Sequence, residues 1–278
     1  MTTPLVTTDW LADHIDDPDV VLVDASWYMP AANRSGRAEY LASHLPGAVF
    51  FGIDDIADKS TGLPHMLPTP EAFAAAVGQL GIADTDTIVV YDEAGVFAAP
   101  RVWWTFRAMG ARDVRVLDGG GPKWRAEGRP TASGEEHPAP RTFVPHYQAG
   151  LVQDFDAVLG LTRSKAKAIV DARPGDRFRG EVPEPRAGLA SGHIPGSLSV
   201  PASDVTANGQ LKSAAELQAL FAKAGVDVTK PIVTSCGSGV TASTVALALA
   251  IAGAKDVAVY DGSWTEWGGR ADAPVEKG

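Results

Sequence analysis

The chain has a single cysteine, Cys236, in the stretch "TSCGSGVTAS" (234–243). A thiolate is a strong nucleophile and forms covalent intermediates, provided its surroundings stabilise the anion. Gly237 and Gly239 free the backbone to curl, so that successive N–H groups can converge on one point and hold an anion. The following "TASTVALALAIAG" reads as a helix, whose N-terminus adds unpaired N–H groups and roughly half a positive charge. Gly237, Ser238, Gly239, Val240 and Thr241 are therefore the expected cradle for an anionic sulfur. A lone cysteine is otherwise a small buried apolar residue, but a Gly/Ser loop between strand and helix is a poor place for mere packing.

A cysteine phosphatase would share the strand–loop–helix setting. Its loop resembles Cys-x5-Arg, with the arginine clamping phosphate. Here the sixth residue after Cys236 is Ala242, and no basic residue occurs from 231 to 254. So short and uncharged a loop suits one sulfur atom better than a phosphate.

The elements that position Cys236 follow from its neighbours. "PIVTSC" ends at the cysteine as an apolar, β-branched run. "AIVDAR", "SLSVP" and "VAVYDG" are further strand candidates, and "SAAELQALFAKAG" a further helix. Strands alternating with helices predict a mainly parallel sheet with helices on both faces. Continuous apolar strands fit a sheet covered on both sides. Sites on such sheets lie beyond the carboxyl ends of the strands, where Cys236 falls.

The chain also repeats itself. "TIVVYDEAGVFAAPRVWWTFRAMGARDVRVLDGG" matches "PIVTSCGSGVTASTVALALAIAGAKDVAVYDGS", and Asp24 and Asp171 end matching apolar runs. "HLPG" (44–47) matches "HIPG" (193–196), so His44 and His193 read as turn residues of the fold. We expect an N-terminal unit over 1–137, a linker over 138–147 and a C-terminal unit over 148–278. The linker region is Pro-rich and polar, as an exposed connection should be. Asp92 takes the place of Cys236 in the first copy, with the loop shape otherwise kept. One active and one inactive copy are expected.

Bulk properties set the class. Apolar residues are 45%, charged residues 21% and the formal net charge −10. An acidic surface argues against nucleic acid or anionic membrane as partner. The N-terminal residues lack a basic and an apolar signal region, and "VALALAIAGA" is too short to span a bilayer. One cysteine makes no intramolecular disulfide, and a cytoplasmic protein is expected. No His/Cys/carboxylate spacing suggests a metal, and "DGGG" (118–121) is too isolated for a nucleotide fingerprint; no cofactor is expected.

Taken together, "YLASHLPGAVF" (40–50), "HMLP" (65–68), "RFRGEVPEPR" (177–186), "CGSGVTA" (236–242) and "YDGSWTEW" (260–267) resemble the two-domain sulfurtransferases, the rhodanese and 3-mercaptopyruvate sulfurtransferase group. The resemblance covers nearly the whole chain. It implies an α/β fold of two tandem rhodanese-like domains, each a five-stranded mainly parallel sheet flanked by helices. It also implies a Cys236 persulfide that passes sulfur from a small-molecule donor to cyanide or an external thiol such as thioredoxin. Within the group, thiosulfate sulfurtransferases resemble Cys-Arg-Lys-Gly-Val-Thr and mercaptopyruvate sulfurtransferases Cys-Gly-Ser/Thr-Gly-Val-Thr. "CGSGVT" is of the second kind. The donor implied is 3-mercaptopyruvate, with thiosulfate as the alternative and a non-catalytic sulfur-carrying or binding module as a further one.

The resemblance assigns Arg177 and Arg186 to the substrate's carboxylate and keto oxygens, a task suited to a planar guanidinium. On their own they read as surface arginines pairing Glu181 and Glu184. Arg179 is expected to lie away from the substrate. The resemblance further implies a Ser–His–Asp arrangement of Ser238, His65 and Asp54, with Asp55 beside the last as a competing choice. Such a group could polarise a carbonyl or move protons. Trp264 and Trp267 read as packing residues.

Overall fold

The computed structural model describes residues 3–278. They divide into two compact units: residues 3–58, 67–148 and 208–211 form the first, and residues 59–66, 149–207 and 212–278 the second. The division is therefore not a single cut, because a short piece of each half of the chain folds with the other half's unit.

In the first unit the elements are β1 (Leu5–Val6), α1 (Thr8–His14), β2 (Val20–Asp24), α2 (Gly36–Ala42), β3 (Val49–Phe50), α3 (Pro70–Gln79), β4 (Thr87–Tyr91), α4 (Ala99–Ala108), β5 (Asp113–Leu117) and α5 (Gly120–Ala126). The strands form one sheet in the order β1-β5-β4-β2-β3, every pairing parallel. Segment 138–147 is largely exposed. It is nonetheless anchored to this unit through Phe143, which is buried and meets Phe73 edge-on with ring centroids 5.3 Å apart.

After these come β6 (Val152–Gln153), α6 (Phe155–Ser164), β7 (Ala168–Asp171), α7 (Gly175–Arg179), β8 (Leu198–Ser199), two short strands β9 (Thr206–Ala207) and β10 (Gln210–Leu211), α8 (Ala214–Lys223), β11 (Ile232–Ser235), α9 (Val240–Ile251), β12 (Val257–Tyr260) and α10 (Ser263–Trp267). The sheet of the second unit has the order β6-β12-β11-β7-β8, again parallel throughout. It reproduces the order of the first sheet strand for strand. Each sheet thus has the five parallel strands expected of a rhodanese-like domain.

Local chemistry explains the boundaries. Ser213 and Glu216 form a reciprocal capping box that opens α8. Asp154 caps α6 by accepting the N–H of Ala157. Helix α9 is apolar on every side and nearly all of it is buried, as a helix pressed against a covered sheet must be. The cores match as well. Trp124 closes the first, with Leu22, Val89 and Leu117, and Trp267 the second, with Ile169, Val233 and Tyr260. Trp264 and Trp267 are fully buried, and their indole N–H groups donate to Ala190 O and Pro274 O. Both are packing residues, as expected.

His44 and His193 have matching structural jobs. Their Nδ1 atoms lie 2.8 Å from Tyr40 O and 2.9 Å from Phe178 O. Each ring stacks on the aromatic residue that supplies that carbonyl. The two strand-end aspartates differ. Asp171 is held bidentately by the buried Arg173 guanidinium, with Nη2–Oδ2 at 2.6 Å. Asp24, equally buried, has Ser26 where its counterpart has Arg173 and accepts the Ser26 N–H at 2.8 Å. Burial pushes its carboxyl pKa up, against the Ser26 hydrogen bonds that lower it.

Candidate active site

Strand β11 ends at Ser235, whose register partner on β7 is Asp171. Cys236 follows at the carboxyl edge of the sheet, 2% exposed and free of any disulfide. Gly239 turns the chain with φ at +81° and ψ at −10°, a left-handed conformation that favours glycine, and α9 begins at the next residue. Among the described residues, no backbone or side-chain acceptor takes the N–H groups of residues 237–242. Buried backbone donors are rarely left so. Six consecutive free N–H groups beside one sulfur make a site for an anion. The sequence pointed to residues 237–241; Ala242 is added because α9 starts at Val240, which puts Ala242 in the first turn, where N–H groups have no partner within the helix.

The first unit shows what such a strand–helix junction does with an anion of its own. Asp92 follows β4, and its Oδ2 accepts the N–H groups of Phe97, Ala98 and Ala99 at 2.7–2.8 Å. Its Oδ1 accepts the Ala94 N–H at 2.8 Å. Gly95 is left-handed, as its match Gly239 is. The loop is not a copy, however. Helix α4 starts at Ala99, three positions later than the match to α9 would put it. The carboxylate reaches further from the backbone than a thiol and gathers the N–H groups around itself, which accounts for the wider turn.

Arg177 and Arg186 both come to this loop. A Cβ on Gly237 would lie 3.4 Å from Arg177 Nη2 and 3.9 Å from Arg186 Nη1. Two guanidinium groups therefore flank the peptide next to Cys236, although neither is near it in sequence. They differ in support. Arg177, in the middle of α7, pairs with Glu184, whose side chain is 2% exposed and also takes Arg173 Nη1 at 2.9 Å. Arg173 in turn stacks on Trp264, 4.1 Å from the ring. Among the described residues Arg186 has no ion pair or hydrogen bond. The surface reading holds in part for Arg177, which does pair Glu184. Arg179 is the partner of Glu181, at 2.7 and 2.8 Å, on an exposed face. It makes no approach to the loop.

Ser238 lies within the loop and is 7% exposed. His65 folds with the second unit, is buried, and has a left-handed backbone with φ at +62°. Asp54 belongs to the first unit, where its Oδ2 accepts the Trp27 indole N–H at 2.8 Å.

A strand-end cysteine followed by backbone N–H groups without an acceptor lies on a five-stranded parallel sheet that is present twice. The rhodanese-like domain fits residues 7–127 and again 155–270. The chain belongs to this family, with two domains in tandem. The 3-mercaptopyruvate sulfurtransferase of Escherichia coli (strain K12) is 45% identical over 276 residues, covering 99% of this chain and 98% of that one. The thiosulfate sulfurtransferase of Bos taurus is also 45% identical, over 275 residues, covering 96% of this chain and 92% of that one. The crystal structure of SseA from Escherichia coli, a 3-mercaptopyruvate sulfotransferase, superposes with a TM-score of 0.87 at 42% identity. It covers 95% of this chain and 99% of that chain.

Proposed function

We propose that the chain is a 3-mercaptopyruvate sulfurtransferase that works through a persulfide on Cys236. The observation that carries this reading is the pairing of six free loop N–H groups with two guanidinium groups at Gly237. The first set suits an anionic sulfur, and the second suits a carboxylate and keto group a few bonds away. Overall identity does not choose between donors, since relatives of both kinds stand at 45%. The loop does. Gly237 and Ser238 bring no cation to the sulfur itself, which disfavours a compact dianion such as thiosulfate.

In the first half-reaction the Cys236 thiolate attacks the sulfur of mercaptopyruvate, held by Arg177 and Arg186. The S–S bond forms as the C–S bond breaks, and the electron pair leaves on the enolate of pyruvate. Protonation at carbon releases pyruvate. The outer sulfur gives up its own proton to balance that step, and the negative charge left on the persulfide is met by the N–H groups of residues 237–242, which need no reorganisation. We assign Ser238, His65 and Asp54 to carbonyl polarisation and proton movement at the enolate. In the second half-reaction an external thiol, thioredoxin among them, or cyanide takes the outer sulfur and regenerates the thiolate. This chain has no second cysteine to do so. The expected compartment is the cytoplasm. Among the described residues no helix is long and apolar enough to cross a membrane.

Cys236→Ser tests the reading. It should abolish pyruvate release from mercaptopyruvate. The unaltered protein, incubated with mercaptopyruvate without acceptor, should gain the mass of one sulfur atom at Cys236. Pyruvate release by the serine variant would exclude Cys236 as nucleophile. Absence of the added sulfur would favour the non-catalytic reading.

A further inference from the structure

The start of α10 holds the peptides on both sides of Cys236. The Cys236 N–H donates to Ser263 Oγ at 3.2 Å, and the Ser263 hydroxyl donates to Tyr260 O at 2.8 Å. The Trp264 N–H donates to Cys236 O at 2.9 Å. The carbonyl of Gly237 accepts twice, from the Thr265 N–H at 2.9 Å and the Thr265 hydroxyl at 2.6 Å. Three consecutive residues thus fix three consecutive peptide groups.

The first unit has the same junction without the nucleophile, and it lacks both hydroxyls. In the repeat Ser263 matches Gly120 and Thr265 matches Pro122. Of the three anchors only the backbone one remains, from Gly121 N–H to Asp92 O at 3.1 Å. Gly120 is left-handed, with φ at +54°. Ser263 adopts the same region, φ at +50°, and is fully buried. A side chain there is strained, and the repeat shows that glycine serves the turn. In the copy with the cysteine the strained residue carries a hydroxyl, and that hydroxyl is spent on the nucleophile's peptide.

We propose that Ser263 and Thr265 are positioning residues for the sulfur chemistry, a hydroxyl clamp on the nucleophile loop. The inference rests on Cys236 being the nucleophile. In a trans peptide the C=O and the N–H point in opposite directions. Holding the carbonyl of Gly237 towards α10 turns the N–H of Ser238 away from α10. Trp264 does the same for the N–H of Gly237. The Ser263 hydroxyl takes the Cys236 N–H, which stops the preceding peptide from rotating. The clamp thereby sets the aim of the first two cradle donors, neither of which has another partner.

The test uses Ser263→Gly, Thr265→Val and Thr265→Ser in the full chain. Three quantities are measured: kcat and KM with mercaptopyruvate, the pH profile of Cys236 alkylation by iodoacetamide, and the melting temperature. Mis-aimed donors act on the charged sulfur rather than on substrate binding. Ser263→Gly and Thr265→Val should each lower kcat about tenfold, less than the roughly 100-fold or more that outright loss of one oriented donor costs because the N–H groups remain and are only mis-aimed, with KM within about twofold. Their alkylation profiles should move to higher pH. Thr265→Ser, which keeps the hydroxyl, should return kcat to within about threefold of the unaltered protein. Wild-type kcat and pH profile in both Ser263→Gly and Thr265→Val would overturn the proposal. So would a Thr265→Ser variant as impaired as Thr265→Val, because then shape and not the hydroxyl matters. If Ser263→Gly does not fold, the two Thr265 variants decide. The alkylation profile needs no donor, so a failure of the mercaptopyruvate reading leaves this test standing.

Discussion

The two arginines at the loop give a quantitative contrast. Arg186 has no ion pair or hydrogen bond among the described residues, whereas Arg177 is tied to the buried Glu184. Arg186→Ala therefore removes nothing that holds the fold together, and the melting temperature should stay within the change expected of a surface substitution, about 0.5 kcal/mol. Substrate should feel the loss strongly. Hydrogen bonds to a charged group are worth about 1.5–3 kcal/mol, which is about 10- to 150-fold in kcat/KM. Most of it should appear in KM, since the carboxylate keeps its charge from ground state to transition state. Arg177→Ala should lose activity to a similar degree and stability as well. Glu184, 2% exposed, would be left with Arg173 alone, at a cost of about 1–3 kcal/mol. Steady-state pyruvate release and thermal melts on the two variants are sufficient. Arg186→Ala with kcat/KM within threefold of the unaltered protein would remove Arg186 from the site. A loss of stability equal to that of Arg177→Ala would show that Arg186 has a structural partner after all.

Two glycines in the loop should behave differently. Gly239→Ala forces a Cβ into the left-handed region and should cost about 1 kcal/mol and most of the activity. Gly237→Ala meets nothing closer than 3.4 Å and should leave the melting temperature unchanged while raising KM, because its methyl would sit against both guanidiniums. The strand-end aspartates offer a pH test. Burial raises the Asp24 carboxyl above its ordinary 3.8, so the unfolded chain ionises first as pH rises, and stability is lost from there up to the folded value. Asp24→Asn should raise the melting temperature at pH 7, and the gain should vanish below about pH 4. Asp171→Asn breaks a buried pair with Arg173 and should destabilise by about 3 kcal/mol.

Much of this site is legible in the sequence because its signals are local. The Val/Ile runs of β4, β7, β11 and β12 are long enough to register as strands. The glycines around Cys236 state their own backbone needs, and the repeat supplies the comparison with Asp92. Strand β6 is two residues, "VQ", and α10 five, so neither has a period to detect. The roles of Glu184, Ser263 and Thr265 are set by which strand ends the sheet order brings together. Nothing in "EVPEPR" says that one glutamate will hold two arginines. The extra cradle donor at Ala242 depends on where α9 starts, a boundary fixed by one left-handed glycine. Phe143 is invisible as an anchor within a polar, Pro-rich stretch because the aromatic cluster it joins, with Phe73 and Phe106, comes from distant helices.

The donor is the claim on which the function turns, and it is tested most directly by kcat/KM for 3-mercaptopyruvate and for thiosulfate, measured on one preparation with one acceptor. With two guanidiniums beside Gly237 and no cation within the cysteine loop, the value for 3-mercaptopyruvate should be the higher by at least about tenfold. An equal or higher value for thiosulfate would contradict the assignment.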